Sequence, residues 1–217
     1  MPQGVQCTPR KFWYAIWLMA PQKKQPTRDR LLAVALELME GPEGVDGVTM
    51  RAVAAAAGVT TMATYKHFQN REALLHAATA AEYPRIAGYF ARANARTEVP
   101  GFRGMLGYLN YALDHPQIFR YMFSSHRADA FVFPHDHEAR KSPTFNVLLT
   151  VVAELMDRQV LRSDDVAETA LSIWAHAHGL ITLYLCGRIA APRAAFQKLY
   201  LRSLDRLLHG LSVEKKR

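Results

Sequence analysis

The chain has 217 residues, 50% of them hydrophobic and 21% charged, which is enough to bury a core without disulfides or metal and too apolar for a disordered chain. Its 27 Lys and Arg outnumber 19 Asp and Glu, and the resulting +8 points toward an anionic partner such as nucleic acid without requiring one. Cys7 and Cys186 are too few for a disulfide framework or a zinc site and fit a reducing, cytoplasmic setting.

The N-terminal stretch, residues 1–24, reads as an extension. Its apolar run Phe12–Ala20 follows Arg10 and Lys11 but is shorter than the roughly 20 residues of a membrane span, and no small-residue cleavage site follows it. No membrane association is expected. Met19 is a plausible true start, because a polar, basic arm with Lys23, Lys24 and Arg28 begins after it; residues 1–18 then read as non-native.

From there the pattern is helical throughout, and strand signals are weak. The fold class expected is all-α, with about nine helices. Leu31, Ala35, Leu38 and Met39 recur at helical spacing, Thr27 is a candidate cap, and Gly41-Pro42 stops the helix. Thr49 caps a second helix, Gly58 ends it, Thr60 caps a third reaching about Phe68, and Asn70 caps a fourth running toward Arg96. Pro84 should kink or break that fourth helix. A fifth follows Pro100, with Phe102, Leu106, Leu109 and Leu113 on one face. Pro116 opens a sixth carrying Ile118, Phe119, Met122 and Phe123. Residues 124–142 lack a period and read as a loop. Ser142-Pro143 opens the seventh, Ser163 caps the eighth, which reaches Arg188, and the ninth runs from about 192 to His209-Gly210.

Thr49 to Phe68, TMRAVAAAAGVTTMATYKHF, has the order helix, tight Gly turn, helix. Ala52, Ala54, Ala55, Ala56 and Ala57 are small enough for a second helix to cross close over the first, and Gly58 tolerates the left-handed turn. Thr60, Thr61, Met62 and Ala63 suit the end of a helix that meets base edges.

This stretch resembles the TetR family of bacterial one-component transcriptional regulators. The resemblance rests on Val48-Thr49-Met50-Arg51-Ala52-Val53-Ala54, on Ala57-Gly58-Val59-Thr60, on Tyr65-Lys66-His67-Phe68, and on Asn70-Arg71-Glu72-Ala73-Leu74-Leu75. It covers roughly residues 27–82; Thr64 stands where the family usually has Leu. It implies a DNA-binding head at residues 25–82 and an effector-binding, dimerising body at 83–212. It further implies that Thr49 and Arg51 contact phosphate, with a base as a further candidate contact, and that Thr60, Thr61 and Met62 face the major groove. Tyr65, Lys66, His67 and Arg71 would grip phosphates. The partners implied are double-stranded DNA with a palindromic operator, a small apolar effector and a second copy of the chain. The function implied is a ligand-released repressor. Charge agrees modestly, with net +5 in residues 1–96 against +3 in 97–217.

Sixteen of the 22 aromatics lie at or beyond residue 83. Tyr108, Tyr111, Phe119, Met122, Phe123 and Phe145 recur on inferred inner faces, the composition of either a core or an apolar effector pocket. Leu171, Trp174, His178, Ile181 and Leu185 form a second stripe. Its Trp174-x-x-x-His178-Gly179 block resembles one C-terminal branch of TetR regulators and implies a dimer interface on the last two helices, with Trp174 and His178 also candidates for the effector site.

The rival readings are a helical metal-dependent enzyme using His126, His135 and His137 and, ranked lower against the Thr49–Leu75 pattern, a membrane-surface protein anchored by residues 11–20. His176 and His178 sit about 200° apart on a helix and cannot face one ion. Cys186 reads as a packing residue in an apolar helix. No phosphate loop, Ser/His/Asp order or paired-carboxylate spacing is present, so no enzyme activity, cofactor or metal is expected.

Overall fold

The computed structural model describes residues 27–94, 103–123, 130–138 and 141–213. The basic arm residues Lys23 and Lys24, the Phe12–Ala20 run and His126 lie outside them.

The head holds α1 (Thr27–Met39), a 3-10 turn (Gly44–Gly47), α2 (Met50–Ala56), α3 (Thr61–Tyr65) and α4 (Arg71–Ala80). Leu31, Leu32, Ala35 and Met39 of α1 are buried at the spacing of one helical face, and they pack with Val53, Phe68, Leu74 and Ala78 from the other elements. Each of the three later helices starts on a side-chain cap. Thr49, Thr60 and Asn70 accept the N–H of Ala52, Ala63 and Ala73 at 3.0, 3.2 and 2.8 Å. Such a cap satisfies an amide that the helix itself leaves unpaired.

The body holds α5 (Tyr83–Asn94), α6 (Arg103–Asp114), α7 (Pro116–Phe123), a single turn α8 (His135–Glu138), α9 (Pro143–Asp157), α10 (Val166–Leu185) and α11 (Arg193–Leu211). All nine expected helices are present. Near Pro84 the fourth is broken outright into α4 and α5, and α8 is one turn inside the expected loop. Glu82 starts α5, its carbonyl accepting Ile86 N–H at 3.0 Å, which places Pro84 in the first turn, where a missing N–H costs nothing. α10 begins two residues later than Ser163 predicts, because Asp165 is the cap and accepts Glu168 N–H at 2.8 Å. α10 ends at Leu185, short of Arg188, with Gly187 at φ +70°. Cys186 is exposed at that end, which corrects its reading as a packing residue.

α5 and α6 touch through Gly107. A Cβ there would stand 2.6 Å from the Tyr89 carbonyl oxygen and 2.7 Å from its carbon, so only glycine permits this approach. Head and body meet at two carboxylates. Buried Glu82 accepts the Tyr111 hydroxyl at 3.0 Å and pairs with Arg85 at 3.3 Å. Glu40, just past α1, accepts the backbone N–H of Ile118 at 3.4 Å.

Candidate nucleic-acid interface

Two short helices and a turn build this surface. α2 closes with two reverse hydrogen bonds: Val59 N–H to Ala54 O at 2.9 Å, and Gly58 N–H to Ala55 O at 3.1 Å, with Gly58 at φ +65°. This double closure needs a left-handed residue, which explains the glycine. Ala54 and Ala57 are buried and allow the close crossing, whereas Ala55 and Ala56 are exposed and play no part in it.

α3 is anchored by buried Thr64, with Phe68 just beyond its end, and that orientation forces Met62, Tyr65 and Lys66 outward. Met62 is 70% exposed and Tyr65 49%, unusual for large apolar side chains. Thr49, Arg51, Thr60 and His67 are also exposed, and Thr61 is half-buried. The structure therefore brings eight of the nine sequence-chosen residues to solvent around α3 and the start of α2.

Arg71 is the exception. Its Nε donates to Val48 O at 2.6 Å and its Nη2 to Val45 O at 2.5 Å, so its guanidinium is committed to the backbone entering α2. Arg28, expected in the basic arm, has its guanidinium 5.4 Å from the centroid of the Phe68 ring, a contact that packs the start of α1 against the end of the α3 segment and that the sequence did not signal.

Comparison with known proteins decides what this arrangement is. Residues 31–78 match the family model of bacterial regulatory proteins of the tetR family, and residues 103–209 match the tetracyclin repressor-like C-terminal domain. The chain belongs to the TetR family. As a TetR-family protein it is a DNA-binding transcriptional regulator. No curated protein matches it. Among solved structures it is similar to a protein of unknown function from Rhodococcus sp. RHA1, at 27% identity and TM-score 0.73, covering 89% of this chain and 100% of that one. It is also similar in fold to a TetR-family transcriptional regulator from Pectobacterium atrosepticum, at 20% identity and TM-score 0.64, covering 88% of this chain and 96% of the other. A TetR-family regulator from Thermus thermophilus shares the fold at 19% identity and TM-score 0.57, covering 88% and 100%.

In the body of this TetR-family chain, six of the eight aromatic-stripe residues meet. Phe119 packs on Tyr108 and Phe123, each with centroids 5.2 Å apart, and on His178 at 5.5 Å; Phe145 meets Trp174 edge-on at 6.2 Å. A polar thread runs through the cluster: Trp174 Nε1 donates to the Tyr108 hydroxyl at 3.2 Å, and that hydroxyl lies 3.1 Å from His178 Nδ1. Burial lowers the His178 pKa, favouring the neutral ring that such a thread needs. Tyr111 and Met122 sit apart, with the Tyr111 hydroxyl on Glu82 and 3.7 Å from Met122 Sδ.

Of the expected dimer stripe, Leu171, Trp174, His178 and Leu185 are half-buried. Ile181 is fully buried, and Trp174 and His178 are engaged with Tyr108. His176 reaches Ser203 of α11 at 3.0 Å instead of facing His178. Among the described residues no three His, Cys, Asp or Glu side chains could hold one metal, and no helix is long and apolar enough to cross a membrane.

Proposed function

We propose that the chain acts as a homodimer that reads a palindromic operator with α3 and represses until a small apolar effector binds the body. The observation that carries the reading is the outward display of Met62, Tyr65 and Lys66 on a helix anchored by buried Thr64 and Phe68. Apolar and polar groups exposed at such a helix suit base edges and phosphates. Thr49, Arg51, Thr60, Thr61 and His67 complete the surface. In a two-fold dimer the two α3 helices would lie about one DNA turn apart, roughly 34–36 Å.

Dimerisation is supported by the outer face of α10. Ser172, Ala175 and Gly179 lie at helical spacing, followed by Leu183, which is 47% exposed; Leu201 of α11 is 38% exposed. Outside its own helix backbone, no described residue lies within 4 Å of where a Gly179 Cβ would be. Small residues let two copies of α10 approach closely.

The aromatic cluster around Tyr108, Phe119, Phe123, Phe145, Trp174 and His178 is the proposed effector region, its polar thread supplying orientation within an apolar lining. An effector shifts the dimer only by binding the mis-spaced state more tightly than the DNA-bound one. Pro84, in the first turn of α5 just after the break between head and body, is the proposed pivot.

Genomic DNA pull-down with sequencing of the bound fragments tests the reading. A shared palindrome is expected, with affinity reduced by Tyr65→Phe and with Lys66→Ala flattening the salt dependence by about one phosphate contact. Recovery of unrelated sequences, or unchanged affinity in both variants, overturns it.

A further inference from the structure

Between α5, α6 and the start of α11 lies a cleft of about 300 Å³, lined by Tyr89 and Arg92 from α5, Leu106, Asn110 and Asp114 from α6, and Arg193 from α11. None of these belongs to the aromatic stripe discussed above. The cleft follows from the sequence spacing. Positions 89, 92 and 93 share one face of α5, positions 106, 110 and 114 share one face of α6, and Gly107 brings the two backbones together.

The electrostatics are lopsided. Asp114 Oδ1 pairs with Arg193 at 2.7 Å and Oδ2 accepts the Tyr89 hydroxyl at 2.8 Å, so both carboxylate oxygens are engaged. Arg92 lies 4.5 Å over the Tyr89 ring and, among the described residues, has no ion-pair partner. Two guanidiniums against one carboxylate leave the cleft with a net positive charge. Gln197 donates to Asn110 Oδ1 at 2.8 Å, which leaves the amide donors of Asn110 on the other side of that group. Leu106 and Ala93 add apolar wall.

We propose that this cleft is a ligand site separate from the aromatic cluster, taking a small organic monocarboxylate with an apolar body. Arg92 supplies the uncommitted cation, Arg193 a second donor set, and Leu106 and Ala93 the surface for the apolar part. The Asp114 carboxylate inside the cleft disfavours dianions such as phosphate, and the surplus arginine disfavours amines. The volume suits a molecule at the small end of ligand sites. Occupancy would link α5 to α11 through one bound anion, since Arg92 and Arg193 belong to those two helices.

Calorimetric titration of the full chain with benzoate at low salt tests the proposal, with benzylamine as the cation of matching size. Saturable benzoate binding is expected, weakened at least about tenfold in Arg92→Ala and in Arg193→Ala, and unchanged in Trp174→Leu, with no benzylamine binding. Both arginine side chains are exposed, so their removal leaves the core intact, which circular dichroism verifies. The proposal is overturned by absence of saturable heat at about 10 mM benzoate, or by equal affinity in Arg92→Ala. It is equally overturned by binding that Trp174→Leu abolishes and the arginine variants keep, which moves the carboxylate to the aromatic cluster.

Discussion

The Glu40 carboxylate, one residue past the end of α1, accepts the backbone N–H of Ile118 at 3.4 Å, so a head residue caps a body helix. The His115 carbonyl accepts Phe119 N–H at 2.9 Å, which places Ile118 in the first turn of α7, where amides lack helical partners. His115 Nδ1 stands 3.8 Å from the same carboxylate. A carboxylate there also meets the positive end of the helix dipole. The contact ties head to body through one side chain, close to the break between α4 and α5.

Removing that cap has a defined cost. Glu40→Ala should lower stability by about 1 kcal/mol in urea denaturation, the usual worth of an N-cap. Glu40→Gln keeps the acceptor but loses the charge. Burial is the main cause that raises the Glu40 pKa above 4.5, outweighing the backbone hydrogen bonds and His115 that lower it. The folded chain therefore favours the protonated acid, a contribution that is full below pH 4.5 and lost as pH rises through the folded pKa. Glu40→Gln should accordingly compare more favourably with the parent at about pH 7 than at about pH 4. The opposite trend would show that the charge, not the acceptor, holds the junction.

Thr64 is fully buried, and its hydroxyl has no hydrogen-bond partner among the described residues. Thr64→Val keeps the shape and removes that group, so it should stabilise the chain by about 1 kcal/mol while leaving DNA affinity unchanged. Loss of stability in the thermal melt would mean that the hydroxyl is satisfied in solution.

Gly107→Ala forces a Cβ to within 2.6 Å of the Tyr89 carbonyl oxygen. Neither backbone can yield without separating α5 from α6, so urea denaturation should show a destabilisation of at least about 1–3 kcal/mol. Gly58→Ala should be destabilising through its φ of +65° rather than through any contact, because nothing lies within 4 Å of its Cβ position.

Arg71 separates two roles cleanly. As the clamp on Val45 O and Val48 O, Arg71→Ala should destabilise the head by about 1.5–3 kcal/mol and weaken DNA binding without changing its salt slope. A slope reduced by about one, with stability intact, would instead assign Arg71 to a phosphate.

Local order was legible because it is encoded locally. Thr49, Thr60 and Asn70 announce helix starts, and Gly58 a helix end, by backbone chemistry that involves only residues a few positions away. The order helix, turn, helix is thus readable from caps and turn, while its distinction from an ordinary helical hairpin rests on the family resemblance; Met62, Tyr65 and Lys66 are exposed on it. Which way the body helices turn was not legible. The stripe Leu171, Trp174, His178, Ile181 and Leu185 has the period of any buried face, and periodicity carries no statement of what buries it. Tyr108 on α6 engages half-buried Trp174 and His178, while Ser172, Ala175 and Leu183 are exposed.

By itself, then, the sequence determined the all-α class, the helix boundaries to within a few residues, and the order helix, turn, helix at residues 49–68, because caps, turns and periods act over one or two turns of chain. Only the tertiary structure decided that Arg71 is a clamp, that Glu40 caps α7, and that Arg92, Asp114 and Arg193 share a cleft. The residues so brought together lie 22 to 101 positions apart, and chain spacing does not encode which distant partners close packing will bring together.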